Sequence, residues 1–219
     1  MNSFRNKPPR YYQDNASYFL TFCTFRRRRL LHLPGIPEFL IEELHFYERK
    51  IRKLVAYTIL PNHIHLIVEV AGSRSLSTFL QSFKSYTSKE IKKRLIDSSR
   101  RQPAVTNCDL GVTTSGMPTG SRLLPMDHVR QSMPTGSRLL HVDRVWQPGT
   151  MDHCIRMTWD GKDYENHVSY LFFNSQKHLG IAPKDFPYHN FIEFEAQGIF
   201  DMSFCSVNEN ICSRFSIYE

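Results

Sequence analysis

The segment Leu60-Pro61-Asn62-His63-Ile64-His65-Leu66-Ile67-Val68-Glu69 decides how this chain is read. It closes one β-rich run, Leu54 to Leu60, and opens another, His63 to Val70, with only Pro61-Asn62 between them. Such tight linkage predicts a hairpin, although a proline in the connection argues against a type I′ turn. Residues two apart on a strand share a face, so His63 and His65 project together while Ile64, Leu66 and Val68 pack inward. Two neutral imidazoles side by side suit one metal ion with coordination positions left open. The plainer reading is a half-buried strand whose other face holds two histidines, and with ten in the chain such a pair is no rarity.

Working outward, Tyr18-Phe19-Leu20-Thr21-Phe22-Cys23-Thr24-Phe25 is aromatic and β-favouring and predicts a strand. The four consecutive arginines Arg26, Arg27, Arg28 and Arg29 end it, and Pro34 and Pro37 prepare a helix start. Phe39, Leu40, Leu44 and Tyr47 recur at helical spacing and predict an amphipathic helix over 38–53. After Gly72-Ser73, the residues Leu76, Phe79, Leu80, Phe83, Ile91 and Leu95 predict a second helix over 75–95. Tyr86 and Glu90 stand i, i+4 on that helix and share a face. Glu90 could complete a His-His-carboxylate site with Tyr86 one turn away. Equally, Tyr86 could be a surface residue and Glu90 a partner for Lys93 or Arg94.

The character changes beyond Arg100. Met117-Pro118-Thr119-Gly120-Ser121-Arg122-Leu123-Leu124 recurs unaltered from Met133 to Leu140, a 16-residue step. Two polar copies are too few for a solenoid, so residues 101–144 read as a flexible repeat-containing insertion in a single domain spanning 1–219. From Val145 the pattern is again that of a folded chain, with helical character over Tyr164–Phe173 and a stop at Gly180.

Composition bounds the function. The 219 residues carry 28 Lys plus Arg against 21 Asp plus Glu, a net charge of +7 that favours a polyanionic partner, nucleic acid first. No apolar run approaches the ~18–20 residues of a membrane span. The N-terminus lacks the apolar stretch of a signal peptide, so a cytoplasmic, nucleoid-associated protein is expected. Five cysteines without a CxxC indicate neither a disulfide framework nor a zinc ribbon.

The ordered motifs resemble the Y1-type HUH single-strand transposases of the IS200-like class, and in particular the REP-associated tyrosine transposases. Carrying the resemblance are the strand Tyr18–Phe22 with its arginine turn, the Pro61-Asn62-His63-Ile64-His65 signature, and Ser82-Phe83-Lys84-Ser85-Tyr86-Thr87. After the insertion come Val145-Trp146-Gln147-Pro148-Gly149, Asp152-His153 and Tyr170-Leu171-Phe172-Phe173-Asn174 through Gly180, with Ser175 where the family has proline. The resemblance implies an α+β fold, a ferredoxin-like antiparallel sheet with helices on one face. It also implies cleavage and rejoining of single-stranded DNA at hairpin or palindromic elements through a 5′-phosphotyrosine. Tyr86 would be the nucleophile, and His63, His65 and Glu90 the ligands of Mg²⁺ or Mn²⁺. Imidazole softness favours manganese. Arg26–Arg29, Lys84, Lys89, Lys92 and Lys93 are the candidates for phosphate contact. Monomer and homodimer both stay open. The competing readings are a binding-only relative of the family and an unrelated His-His-carboxylate metalloenzyme such as a non-haem iron oxygenase, whose barrel fits two long helices poorly.

Overall fold

The computed structural model describes residues 13–101, 142–156 and 161–198. They divide between two units, 13–91 with 144–198 and 92–101 with 142–143, each taken by itself. The repeat-containing stretch 102–141 lies outside the described residues. In the smaller unit, the Lys92 ammonium donates to the Asp143 carbonyl at 2.5 Å.

The larger unit runs β1 (Ala16–Cys23), α1 (Ile36–Glu48), β2 (Lys53–Leu60), β3 (His63–Val70), α2 (Ser73–Arg101, which continues into the smaller unit), β4 (Met151–Ile155), α3 (Lys162–Leu179) and α4 (Phe191–Ala196). Its sheet has the order β2-β3-β1-β4 with every neighbouring pair antiparallel. The sequence of elements through β4 is therefore a doubled split β-α-β, the ferredoxin-like arrangement expected from the resemblance. Helices α1 and α2 lie on one face. There Phe22 of β1 meets Phe83 of α2 at 5.8 Å between ring centroids, and Tyr47 of α1 meets the same ring at 6.1 Å.

The crossovers leave the second face of the sheet uncovered, and that face is apolar too. Phe19, Ala56, Ile67 and Ile155 bury themselves against Val168, Leu171 and Phe172 of α3 and Phe191 and Phe194 of α4. Burying each such side chain is worth about 1.5–3 kcal/mol, which is why α3 and α4 dock there. The helices thus lie on both faces, an addition to the one-face arrangement expected from the sequence.

Local chemistry explains the element ends. Leu54 N–H donates to Glu48 Oε1 at 2.8 Å, so α1 stops at Glu48 and β2 begins by Lys53, short of the helix expected to run to 53. The hairpin falls where the sequence put it, with Leu60 opposite His63 across Pro61-Asn62. Both carbonyls of that turn are taken, Pro61 by Leu31 N–H and Asn62 by Thr24 N–H, each at 2.9 Å. At the end of α3, Gly180 adopts φ +68° and donates to the Gln176 carbonyl at 2.9 Å, the left-handed cap that glycine supplies without penalty. Strand β4 was not foreseen; α3 extends the helical character expected over 164–173 to Lys162–Leu179 and ends at the expected Gly180 stop.

Candidate active site

The two histidines of β3 lie on the sheet face covered by α3. Their rings meet edge to face at 4.8 Å, with His63 2% and His65 0% exposed. Neighbours fix each ring. His63 Nδ1 lies 2.6 Å from Asn62 Oδ1, an atom that only accepts, so Nδ1 carries the proton and the lone pair lies on Nε2. This is a physical reason for asparagine before the first histidine. His65 Nδ1 is 2.8 Å from Thr21 Oγ1, its register partner on β1. The Nε2 atom of His65 is buried and has no hydrogen-bond partner among the described residues.

Helix α3 faces this pair with a stripe at i, i+4 and i+8: Tyr170, Asn174 and His178. The Tyr170 ring stands 5.6 Å from His65, and the exposed His178 ring 5.1 Å from His63. Asn174 is wholly buried, its Nδ2 donates to the Tyr170 carbonyl at 2.7 Å, and its Oδ1 has no partner among the described residues. A buried amide oxygen left unsatisfied costs about 1–3 kcal/mol, so its presence signals a task.

Charge converges on the same place. Burial first, then His63, His178, Arg27 and Lys177, hold the His65 pKa well below the ordinary imidazole value. His65 is accordingly a neutral lone-pair donor near neutral pH. Arg27 follows a turn in which Arg26 and Arg27 both take left-handed backbone, φ +58° and +52°. Such conformations cost non-glycine residues about 1–3 kcal/mol each and persist where surrounding contacts impose them. Here Thr24 Oγ1 reaches the Arg28 carbonyl at 2.6 Å and the Asn62 carbonyl at 3.0 Å, tying the arginine turn to the histidine hairpin.

The tyrosine and carboxylate expected from the sequence lie elsewhere. Phe22 and Thr21 alternate on β1; Thr21 bonds to His65, whereas Phe22 packs on α2. Helix α2 therefore covers the face opposite the histidines. Its inward residues are Phe79, Phe83 and Thr87, which leaves Tyr86 41% exposed beside Phe39 and Tyr47 of α1. Glu90, one turn on, shares that side and is half-buried. The structure brings His63 and His65 together and does not bring Tyr86 or Glu90 to them.

Among the basic candidates, Arg26, Arg27 and Arg29 are exposed, Arg28 is half-buried, and Lys89 is exposed on α2. Lys84 instead donates to the Gln147 and Gly149 carbonyls at 3.0 and 2.5 Å, anchoring the returning chain. That chain also carries Trp146, whose Nε1 donates to Thr87 Oγ1 at 2.9 Å.

The frame is thus a ferredoxin-like sheet with paired histidines on an inner strand. Residues 12–105 match the family described as Transposase IS200 like. The match takes in β1 to β3, α1 and α2, and stops short of α3. The REP-associated tyrosine transposase of Escherichia coli (strain K12) is 34% identical over 76 residues, 32% of this chain and 44% of that protein. The chain thus matches less than half the length of this curated relative. A solved REP-associated tyrosine transposase bound to a REP hairpin superposes with a TM-score of 0.54 at 22% identity, over 90% of this chain and 89% of that one. The resemblance drawn from the sequence motifs is borne out, and so is the α+β fold. Among the described residues, no helix is long and apolar enough to cross a membrane.

Proposed function

We propose that this protein cleaves and rejoins single-stranded DNA at hairpin elements through a 5′-phosphotyrosine, with Tyr170 rather than Tyr86 as the nucleophile. The observation that carries this reading is the sharing of one sheet face by His63, His65, Tyr170 and Asn174. Hairpin DNA is supported by the relative solved with a REP hairpin and by the arginine turn beside the histidines.

The donor set fits a divalent cation. His65 Nε2 and Asn174 Oδ1 are buried acceptors without partners among the described residues, and Asn62 leaves a lone pair on His63 Nε2. His63, His65 and Asn174 would hold Mg²⁺ or Mn²⁺, with imidazole favouring manganese. Such an ion draws charge from the phosphoryl oxygens and makes phosphorus more electrophilic.

In the first step the Tyr170 phenol gives its proton to solvent and its oxygen forms a bond to phosphorus. The bond from phosphorus to the 3′ oxygen breaks, and that oxygen leaves with a proton as a free 3′-hydroxyl. Attack of a 3′-hydroxyl on the phosphotyrosine reverses these changes, so no nucleotide cofactor is consumed. Arg27 and Lys177 would meet the phosphates; Lys177 Nζ already lies 5.7 Å from the Tyr170 ring centre. Tyr170 is 1% exposed, so its ring must turn outward or α3 must shift when DNA enters.

The test is a covalent-adduct assay on the full chain with labelled single-stranded oligonucleotides from both flanks of its gene, with Mn²⁺ or Mg²⁺. A labelled band that survives SDS, needs metal, persists in Tyr86→Phe and vanishes in Tyr170→Phe is expected. Tight DNA binding by a folded protein without any adduct would support the binding-only relative instead.

A further inference from the structure

A second cluster of ligand-type side chains lies where α3 begins. His153 on β4 and Asp163 and His167 on α3 each offer one ligand atom, and these atoms all lie within 4.8 Å of one another. His153 Nε2 is 3.9 Å from Asp163 Oδ2; His167 Nδ1, 3.4 Å from Asp163 Oδ1, spends its proton on the Asp163 carbonyl at 2.6 Å, so His167 would ligate through Nε2. Bonds of about 2.0–2.1 Å to a tetrahedral ion put ligands about 3.3 Å apart, so an ion would draw these atoms together and turn the two rings, now stacked with 12° between their planes, toward one point. We propose that His153, Asp163 and His167 form a second cation site, separate from His63 and His65, that takes a divalent ion of the zinc class and clips α3 to the edge strand β4.

Solvent access favours an ion over a simple charge pair. Asp163 and His153 are about a quarter exposed, which gives an ion a way in and leaves room for water as the remaining ligand. Other contacts hold the ligands in place: Asp163 Oδ2 accepts from Arg156 N–H at 2.8 Å, and His167 Nδ1 lies 2.6 Å from the Asp163 carbonyl. Two nitrogens and one oxygen suit Zn²⁺ or Co²⁺ better than Mg²⁺.

The clip would act on the site already described. His167 precedes Tyr170 by one turn, and the Phe19 ring touches both His167 and His65 at 5.3 Å. An ion at the start of α3 would fix the helix register that sets Tyr170 and Asn174 against β3.

The test compares full-length wild type with His153→Gln, both stripped with chelator and then dialysed against Zn²⁺, by metal analysis and thermal melting. The variant is expected to hold one Zn²⁺ per chain fewer than wild type. It should also lose a Zn²⁺-dependent rise in Tm of roughly 5–10 °C at ~100-fold excess over Kd. Asp163→Asn, which keeps an acceptor for Arg156 N–H, should lose the same ion, and His63→Ala should retain it. Equal Zn²⁺ content in wild type and His153→Gln would overturn the proposal. So would loss of that same ion in His63→Ala, since the two sites would then be one.

Discussion

The His65 imidazole and the Tyr170 phenol ring meet nearly edge to face, 5.6 Å apart at 66°, with one on β3 and the other on α3. Asn174 sits one turn beyond Tyr170 with its amide oxygen buried and no partner among the described residues. If that oxygen is a ligand, its removal weakens metal binding and leaves the fold intact. Asn174→Ala should lower Mn²⁺ affinity at least ~10-fold, measured by titration calorimetry, with little change in melting. Unchanged Mn²⁺ affinity would remove Asn174 from the ligand set.

Acid should destabilise the fold. Burial lowers the pKa of His65, His167 and His189 below the unfolded value of 6.5. Their contribution is fully present above that value. As pH falls through it, the unfolded chain takes up protons that the folded chain refuses, and stability drops until the folded pKa values are passed. Tm should therefore be lower at about pH 5.5 than at about pH 7.5, and a flat profile across this range would contradict the neutral, buried state of these rings.

One asparagine outside the site carries unusual structural weight. The ladder between β2 and β3 shifts between Leu54 and Ala56, which interrupts regular pairing there. Asn190 caps the outer edge of β2 at this shift, accepting from Tyr57 N–H and donating to the Val55 carbonyl, both at 3.0 Å. Asn190→Ala strands two buried backbone groups and should cost about 2–4 kcal/mol in urea unfolding. A loss below half a kilocalorie would mean that water replaces the side chain.

The basic residues should separate into two kinds. Arg27 acts on His65 through its charge, whereas Lys84 is spent on the Gln147 and Gly149 carbonyls. Arg27→Ala is expected to weaken single-strand binding and reduce the salt slope by about one. Lys84→Ala should lower Tm while sparing that slope, and the reverse pattern would exchange their roles.

Much of this was legible in the sequence because it is local. The hairpin at Pro61-Asn62 and the pairing of His63 with His65 follow from strand period alone, and Gly180 marks the end of α3. Strand β4 escaped because Met151-Asp152-His153-Cys154-Ile155 is short and polar, held in place by pairing with β1. The roles proposed for Tyr170 and Asn174 were not legible for a different reason. The i, i+4, i+8 stripe through His178 was present, but what it faces depends on which side of the sheet α3 covers. Tyr86 stood on a motif-bearing helix in the sequence, yet the inward turn of Phe83 and Thr87 points it away from the histidines.

The most direct test of the account is to find which tyrosine carries DNA. Full-length protein would be reacted with the oligonucleotide that gives an adduct, digested with trypsin and nuclease, and sequenced by mass spectrometry. The account predicts a nucleotide on the peptide Asp163–Lys177, at Tyr170. A nucleotide on Ser85–Lys89, at Tyr86, would contradict it and return the chemistry to the other face of the sheet.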